Sequence, residues 1–279
     1  MYPADFDYHR PESVSDAIKL LKDNPEAKLL AGGHSLLPVM KLRLAQPSAL
    51  VDISRLSELS GVREDGGAIV IGANTTYHEL MASDVIKQKL PVLAEASDQV
   101  GDVQVRNKGT IGGAAAHADP ASDLPAVLLA LDAEIKTVSS SGEKTHKATD
   151  FFVDMFTTAL QPDEVITEIR IPNAGDVASG TYQKFAHPAS GYAIVGIAAV
   201  RTSGGDVRAA VTGSVPIAVR LSAVESELSG KDLSDDNIKA AAEKAGDGLD
   251  FVGDIHASDE YRAHLTKVYT RRALQKIAG

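Results

Sequence analysis

The chain of 279 residues contains no cysteine and no tryptophan. Without a thiol it can form no disulfide, present no thiolate nucleophile and bind no cysteine-ligated metal. An iron–sulfur cluster held in the usual way is excluded with them. No apolar run is long enough to span a bilayer. The start, Met1-Tyr2-Pro3-Ala4-Asp5-Phe6, lacks the basic and apolar regions of a signal peptide, so a cytoplasmic protein is expected. Basic residues are in deficit, 28 Lys and Arg against 38 Asp and Glu, and the formal net charge is −10. That balance argues against a nucleic-acid binder, because neutralising phosphates needs a basic face. Internal repeats and low-complexity tracts are absent too. What remains is 44% hydrophobic, which excludes a largely disordered chain and allows one large domain or two to three small ones.

Two glycine-rich stretches stand out. The first is Leu29-Leu30-Ala31-Gly32-Gly33-His34-Ser35-Leu36-Leu37-Pro38. A buried strand leads into it, the two glycines turn the chain, and a short helix follows. The second is Gly109-Thr110-Ile111-Gly112-Gly113-Ala114-Ala115-Ala116-His117-Ala118-Asp119-Pro120-Ala121-Ser122-Asp123-Leu124-Pro125, with an apolar helical run directly after it. Residues without bulk let a flat or anionic ligand approach the backbone closely. Consecutive free N–H groups beside a helix start make an anion cradle, and that is the expectation for these stretches. Two such loops suggest a grip on one elongated phosphorylated ligand. Neither matches the Walker or G-x-G-x-x-G pattern, so the grip differs from the Rossmann crevice.

The rest of the chain reads as alternating elements. Ser13 and Asp16 resemble a capping box for a helix carrying Val14, Ala17, Ile18 and Leu21 on one face. Strands are expected over 28–31, 49–53, 68–73, 133–138 and 164–171, the last ending at Pro172. Helices are expected after Thr76 and over 90–100, and 101–108 reads as a polar loop. Phe151 and Phe152 read as a core plug. A boundary is placed at 173–179. Beyond it come strands at 180–186, 192–200 and 207–215, then helices at 222–228, 235–245 and 258–277. In the last helix Tyr261, Leu265, Val268, Arg272 and Lys276 fall near one face. Strands followed by helices give an α+β unit.

Taken singly, several residues have plain structural readings. His34 and His117 lack partners at metal-ligand spacing and read as hydrogen-bonded loop histidines. Asp123 precedes a helix and reads as a cap. Ser35 has no G-x-S-x-G elbow around it. Lys184 in a strand reads as a solvated charge, and Tyr192 as core or strand surface.

At Ala31-Gly32-Gly33-His34-Ser35-Leu36-Leu37-Pro38 and Thr110-Ile111-Gly112-Gly113 the sequence resembles the two FAD-binding signatures of the flavoprotein subunits of molybdenum hydroxylases. The branch most like it is that of the medium subunits of aerobic carbon monoxide dehydrogenases, within the xanthine dehydrogenase family. The resemblance implies a vanillyl-alcohol oxidase-type FAD-binding domain over 1–172, with subdomains of about 1–56 and 57–172, and a smaller α+β C-terminal domain over 177–279. It implies that Lys28 and Ala31, Gly32, Gly33, His34, Ser35 and Leu36 hold the FAD pyrophosphate. Thr110, Ile111, Gly112, Gly113 and Ala114 would wrap its other side and the ribityl chain. Asp123, Ile166, Lys184 and Tyr192 match family positions that contact the cofactor or flank the flavin. Many members carry Asn where Ala114 stands here, so a side-chain hydrogen bond would be missing at that point.

The same resemblance implies an oxidoreductase subunit with no acid–base residue of its own. It would take electrons from iron–sulfur clusters on a small partner subunit, downstream of molybdopterin on a large one, and pass them to quinone, oxygen or NAD. A dimer of heterotrimers is the expected assembly. The absence of cysteine agrees with clusters lying on another chain. The alternative is a self-contained flavin-dependent reductase or oxidase of the same superfold, which would need a proton donor in a substrate pocket; no donor constellation is visible.

Overall fold

The computed structural model describes residues 1–279. The chain opens with a three-stranded parallel sheet in which Ala49–Asp52 lies between Asp7–His9 and Lys28–Leu30. Parallel strands need a crossover, and the helix Val14–Asp23 supplies one. Its start is set by Ser13, whose hydroxyl accepts the Asp16 N–H at 3.1 Å. Its Ala17, Ile18 and Leu21 are buried with Ala49 and Val51. Strand Lys28–Leu30 runs straight into Gly32 and Gly33, and Gly33 turns the chain at φ +75°.

The middle of the chain forms a five-stranded antiparallel sheet in the order Val62–Asp65, Ala68–Gly72, Val165–Ile171, Glu134–Ser139, Gly142–Lys147. Helices Tyr77–Ala82, Pro91–Asp98, Ile111–His117 and Leu124–Ala130 contribute to one core with it, around Ile71, Leu80, Leu93, Ile111 and Leu128. Phe151 and Phe152 are both buried in this core, the plug expected from the sequence. The stretch 101–108 is not all loop. Asp102 accepts the Val105 N–H at 2.8 Å and starts the short helix Val103–Arg106. A separate helix, Asp84–Lys89, begins at Ser83.

The C-terminal part is a four-stranded antiparallel sheet, Val177–Ala186, Ala193–Thr202, Val207–Thr212 and Val219–Arg220, with helices Ser222–Leu228, Asp235–Glu243 and Asp259–Ala278. Its first strand starts at Val177, inside the segment read as a linker. Tyr182, Ala198, Val200 and Ala210 of this sheet share the large core with Leu128 and Val127. The last helix buries Arg262, Leu265, Thr266, Thr270, Ala273, Leu274 and Ile277. Of the stripe expected from the sequence, only Leu265 belongs to that face. The reason is polar: the Arg262 guanidinium donates to the carbonyls of Ile194 (2.9 Å) and Gly213 (2.5 Å) and to the Asp254 carboxylate (2.6 Å), so a charged side chain points in. No helix is long and apolar enough to cross a membrane.

Candidate cofactor site

A cleft of about 700 Å³ lies where the two glycine stretches meet. Their approach is backbone to backbone. A Cβ on Gly32 would sit 1.8 Å from the Lys108 carbonyl oxygen, so only glycine permits the contact. The second stretch is fastened from behind. Tyr77 N–H donates to Gly109 O (3.1 Å), Ile111 N–H to Thr75 O (3.0 Å) and Gly112 N–H to Ala73 O (2.9 Å). A Cβ on Gly112 would come within 2.8 Å of that same Ala73 oxygen. Thr110 caps the helix Ile111–His117 by accepting the Gly113 N–H at 3.0 Å.

The two loops therefore differ in what they can offer a ligand. The amides of Ile111, Gly112, Gly113 and Ala114 are all bonded within the protein. The expected row of free donors is absent there, because docking on residues 73–75 and capping by Thr110 occupy it. Thr110 keeps the proton of its hydroxyl. In the first loop the reverse holds. The amides from Gly32 to Leu36 have no acceptor within the protein, and Ser35 makes no capping bond to the helix Leu36–Lys41. His34 folds its ring back so that Nδ1 lies 3.0 Å from Gly32 O. Successive N–H groups without an internal acceptor can form a donor nest suited to an anion.

Behind one end of the cleft lies a buried polar chain. Asp123 does stand at the start of a helix, yet its side chain makes no capping bond. It instead accepts from the Tyr182 hydroxyl at 2.6 Å and from Lys184 Nζ at 3.0 Å. Lys184 also donates to Gln99 O at 2.9 Å, and its side chain is 2% exposed, so the solvated reading is overturned. Tyr182 reaches Asp123 through space left by Gly196, where a Cβ would be 2.1 Å from the tyrosine oxygen. Burial pushes the Asp123 carboxyl above its usual range, although Lys184 and Tyr182 hold it back. Burial, with the Asp123 carboxylate beside it, keeps the Tyr182 phenol far above its usual range and hence protonated.

Residues 4–174 match the family described as the FAD binding domain in molybdopterin dehydrogenase, and residues 180–277 the CO dehydrogenase flavoprotein C-terminal domain. The chain belongs to the FAD-binding family of molybdopterin dehydrogenases. It is 40% identical to the glyceraldehyde dehydrogenase medium chain of Sulfolobus acidocaldarius, over 100% of both chains. It is 39% identical to the carbon monoxide dehydrogenase medium chain of Hydrogenophaga pseudoflava, covering 98% of this chain and 97% of that one. Among solved structures, the Hydrogenophaga pseudoflava carbon monoxide dehydrogenase lacking the Mo-pyranopterin moiety superposes with a TM-score of 0.94 at 41% identity, covering 100% of this chain and 98% of that one. Quinoline 2-oxidoreductase of Pseudomonas putida 86 gives 0.93 at 32%, covering 100% and 98%. The protein is thus an FAD-dependent oxidoreductase subunit whose FAD-binding domain is followed by a C-terminal domain with an antiparallel sheet.

The donor set fits the cofactor of this flavoprotein family. A dinucleotide diphosphate needs N–H donors, and the Gly32–Leu36 nest supplies them without a competing internal acceptor. Of the residues singled out in the sequence, Lys28, Ala31 to Leu36, Thr110, Gly112 to Ala114, Asp123, Ile166 and Tyr192 line the cleft. Two do not. Ile111 points into the core and is fully buried, and Lys184 lies behind Asp123. The cleft wall also contains Tyr77, Asn74, Val105 and Glu164, which the sequence reading passed over. No local signal marks them: Tyr77 and Asn74 follow a strand end as ordinary turn and helix residues. Glu164 is held by His146 Nε2 at 3.0 Å, the Gln161 amide at 2.8 Å and the Thr137 hydroxyl.

Proposed function

We propose that this chain is the electron-transfer subunit of a molybdenum-containing hydroxylase or dehydrogenase. On this reading it accepts electrons from iron–sulfur clusters on a small partner subunit and delivers them through FAD to an external acceptor. The observation that carries the reading is the row of unpartnered amides from Gly32 to Leu36 on a cleft that residues of the 109–114 stretch also line. The first-loop amides and Ser35 hold the diphosphate. Thr110, Gly112, Gly113 and Ala114 confine it from the opposite side, with Ile166 and Tyr192 as apolar and aromatic walls. Asp123 faces the cofactor, and Lys184 and Ile111 act from behind, one by fixing Asp123 and the other by anchoring the second loop. FAD supplies the capacity to take up and release two electrons; the chain binds, orients and tunes it.

Absence of cysteine supports placing the clusters on another chain. The relatives' names, medium chain and subunit alpha, support an assembly of several subunits, and a molybdopterin large subunit in a dimer of heterotrimers in the cytoplasm completes the proposal. Relatives are named for glyceraldehyde, carbon monoxide and 6-hydroxypseudooxynicotine. The substrate centre lies on the large subunit in this reading, so the cleft described here does not choose among them. The division into 1–172 for the cofactor and 177–279 for the C-terminal domain belongs to the same proposal. To test it, the chain is purified with its co-purifying partners, and anaerobic flavin bleaching is followed on adding candidate substrates. Bleaching in the complex and none in the isolated chain is expected; turnover of a small substrate by the isolated chain would overturn the reading.

A further inference from the structure

One phenol on the cleft wall opens on the cleft and has no hydrogen-bond partner within the protein. Tyr77 is 7% exposed and lines the cleft. Its ring is fixed against the second glycine stretch: its N–H bonds Gly109 O, and a Cβ on Gly109 would lie 2.5 Å from the Tyr77 ring carbon Cε2. Glycine at 109 is therefore what admits the ring. The groups that act on its hydroxyl electrostatically are Asp123 and Tyr192, with no hydrogen bond to either. Tyr182, by contrast, has a partner in Asp123. Lys184 is likewise engaged, by Asp123 and Gln99 O. Tyr77 is thus a rigidly held donor with nothing to donate to except what enters the cleft.

Val100, Val105 and Tyr192 line the same cleft, apolar and aromatic surfaces suited to a flat ring rather than to a phosphate, and Val105 packs at Gly109 as Tyr77 does. The phosphate donors belong to the other loop. We propose that Tyr77 is a further cofactor-contacting residue, donating its phenolic hydrogen to an acceptor atom of the isoalloxazine ring system, an assignment that rests on the FAD reading above. Burial, with Asp123 and Tyr192 adding to it, holds the phenol well above its usual range, so the donor stays protonated through neutral pH.

The test is Tyr77→Phe, which keeps the ring on Gly109 and removes only the oxygen. Full-length chain is stripped of flavin and titrated with FAD, following flavin fluorescence and the visible absorption bands. The variant should bind FAD about three- to tenfold more weakly, the range one neutral hydrogen bond supplies. The bound flavin bands should shift relative to wild type, while the thermal midpoint of the flavin-free protein stays unchanged. Equal affinity with identical bands would overturn the proposal. So would weaker binding with identical bands, since that describes a packing role. Wild-type protein that takes up no FAD would sink the parent reading along with this one; a wild type that binds normally confines any failure to Tyr77.

Discussion

The two Gly-Gly loops look alike in sequence and are opposite in hydrogen bonding. Gly32 and Gly33 open a run of amides that nothing in the protein accepts, whereas Gly112 and Gly113 sit in the first turn of a helix whose amides are already bonded to Ala73, Thr75 and Thr110. One loop is a donor; the other is a wall. Glycine serves each differently. In the first it allows close approach to Lys108 O and a positive φ at Gly33; in the second it lets a helix dock on the Ala73 carbonyl. Doublets of this kind mark close backbone approach, and only the fate of the amides separates ligand grip from packing.

That contrast can be broken at several points. The largest effect is expected for Gly32→Ala, which drives a methyl group into Lys108 O and parts the two walls. FAD affinity should fall by about 100-fold or more, roughly 2.7 kcal/mol, because several charge-assisted bonds to the diphosphate are lost together; equilibrium titration measures it. Gly112→Ala should act on the fold first. Overpacking against Ala73 should cost about 1–3 kcal/mol in denaturant unfolding of the flavin-free protein, with a smaller loss in affinity. A reversal of these two patterns would erase the distinction between donor and wall.

A region outside both loops sharpens the comparison through pH. Burial acts to raise the Glu164 carboxyl, but bonds from Thr137, the Gln161 amide and His146 outweigh it and hold the group below its usual range. A depressed carboxyl stabilises the folded state above its unfolded pKa, and that stabilisation is lost as pH falls through the folded value. Glu164→Gln should therefore destabilise by about 1–2 kcal/mol near neutral pH, and the gap to wild type should close on acidification below about pH 4. Unfolding curves at a series of pH values check this. The smallest effect is expected for Thr110→Val, which removes the cap on Gly113 N–H and should cost about 1 kcal/mol of stability, with FAD affinity reduced only severalfold.

Much of the fold was legible because its signals are local. Alternation over 164–171, the caps at Ser13 and Thr76 and the paired glycines each act within a few residues. Thr76, for instance, forms a full capping box with Glu79. The cleft itself was legible through the same glycine doublets. What escaped depends on partners far along the chain. Asp123 reads as a cap because a helix follows it, yet its bonds go to Tyr182 and Lys184 in a strand about sixty residues away. Lys184 reads as solvated because nothing adjacent reveals that carboxylate. The buried face of the last helix includes Arg262, which the expected stripe left out, because two of its acceptors are the backbone carbonyls of Ile194 and Gly213, which carry no sequence signature. Nor could composition tell which loop had engaged its amides, since that depends on residues 73–75 docking behind the second one.

Amide hydrogen exchange of the full chain with and without FAD measures this difference directly. Amides 32–36 should exchange quickly in the flavin-free protein and become protected on adding FAD, while amides 111–114 should be protected in both states. Protection that appears at 111–114 on binding, with 32–36 unchanged, would contradict the assignment of donor and wall.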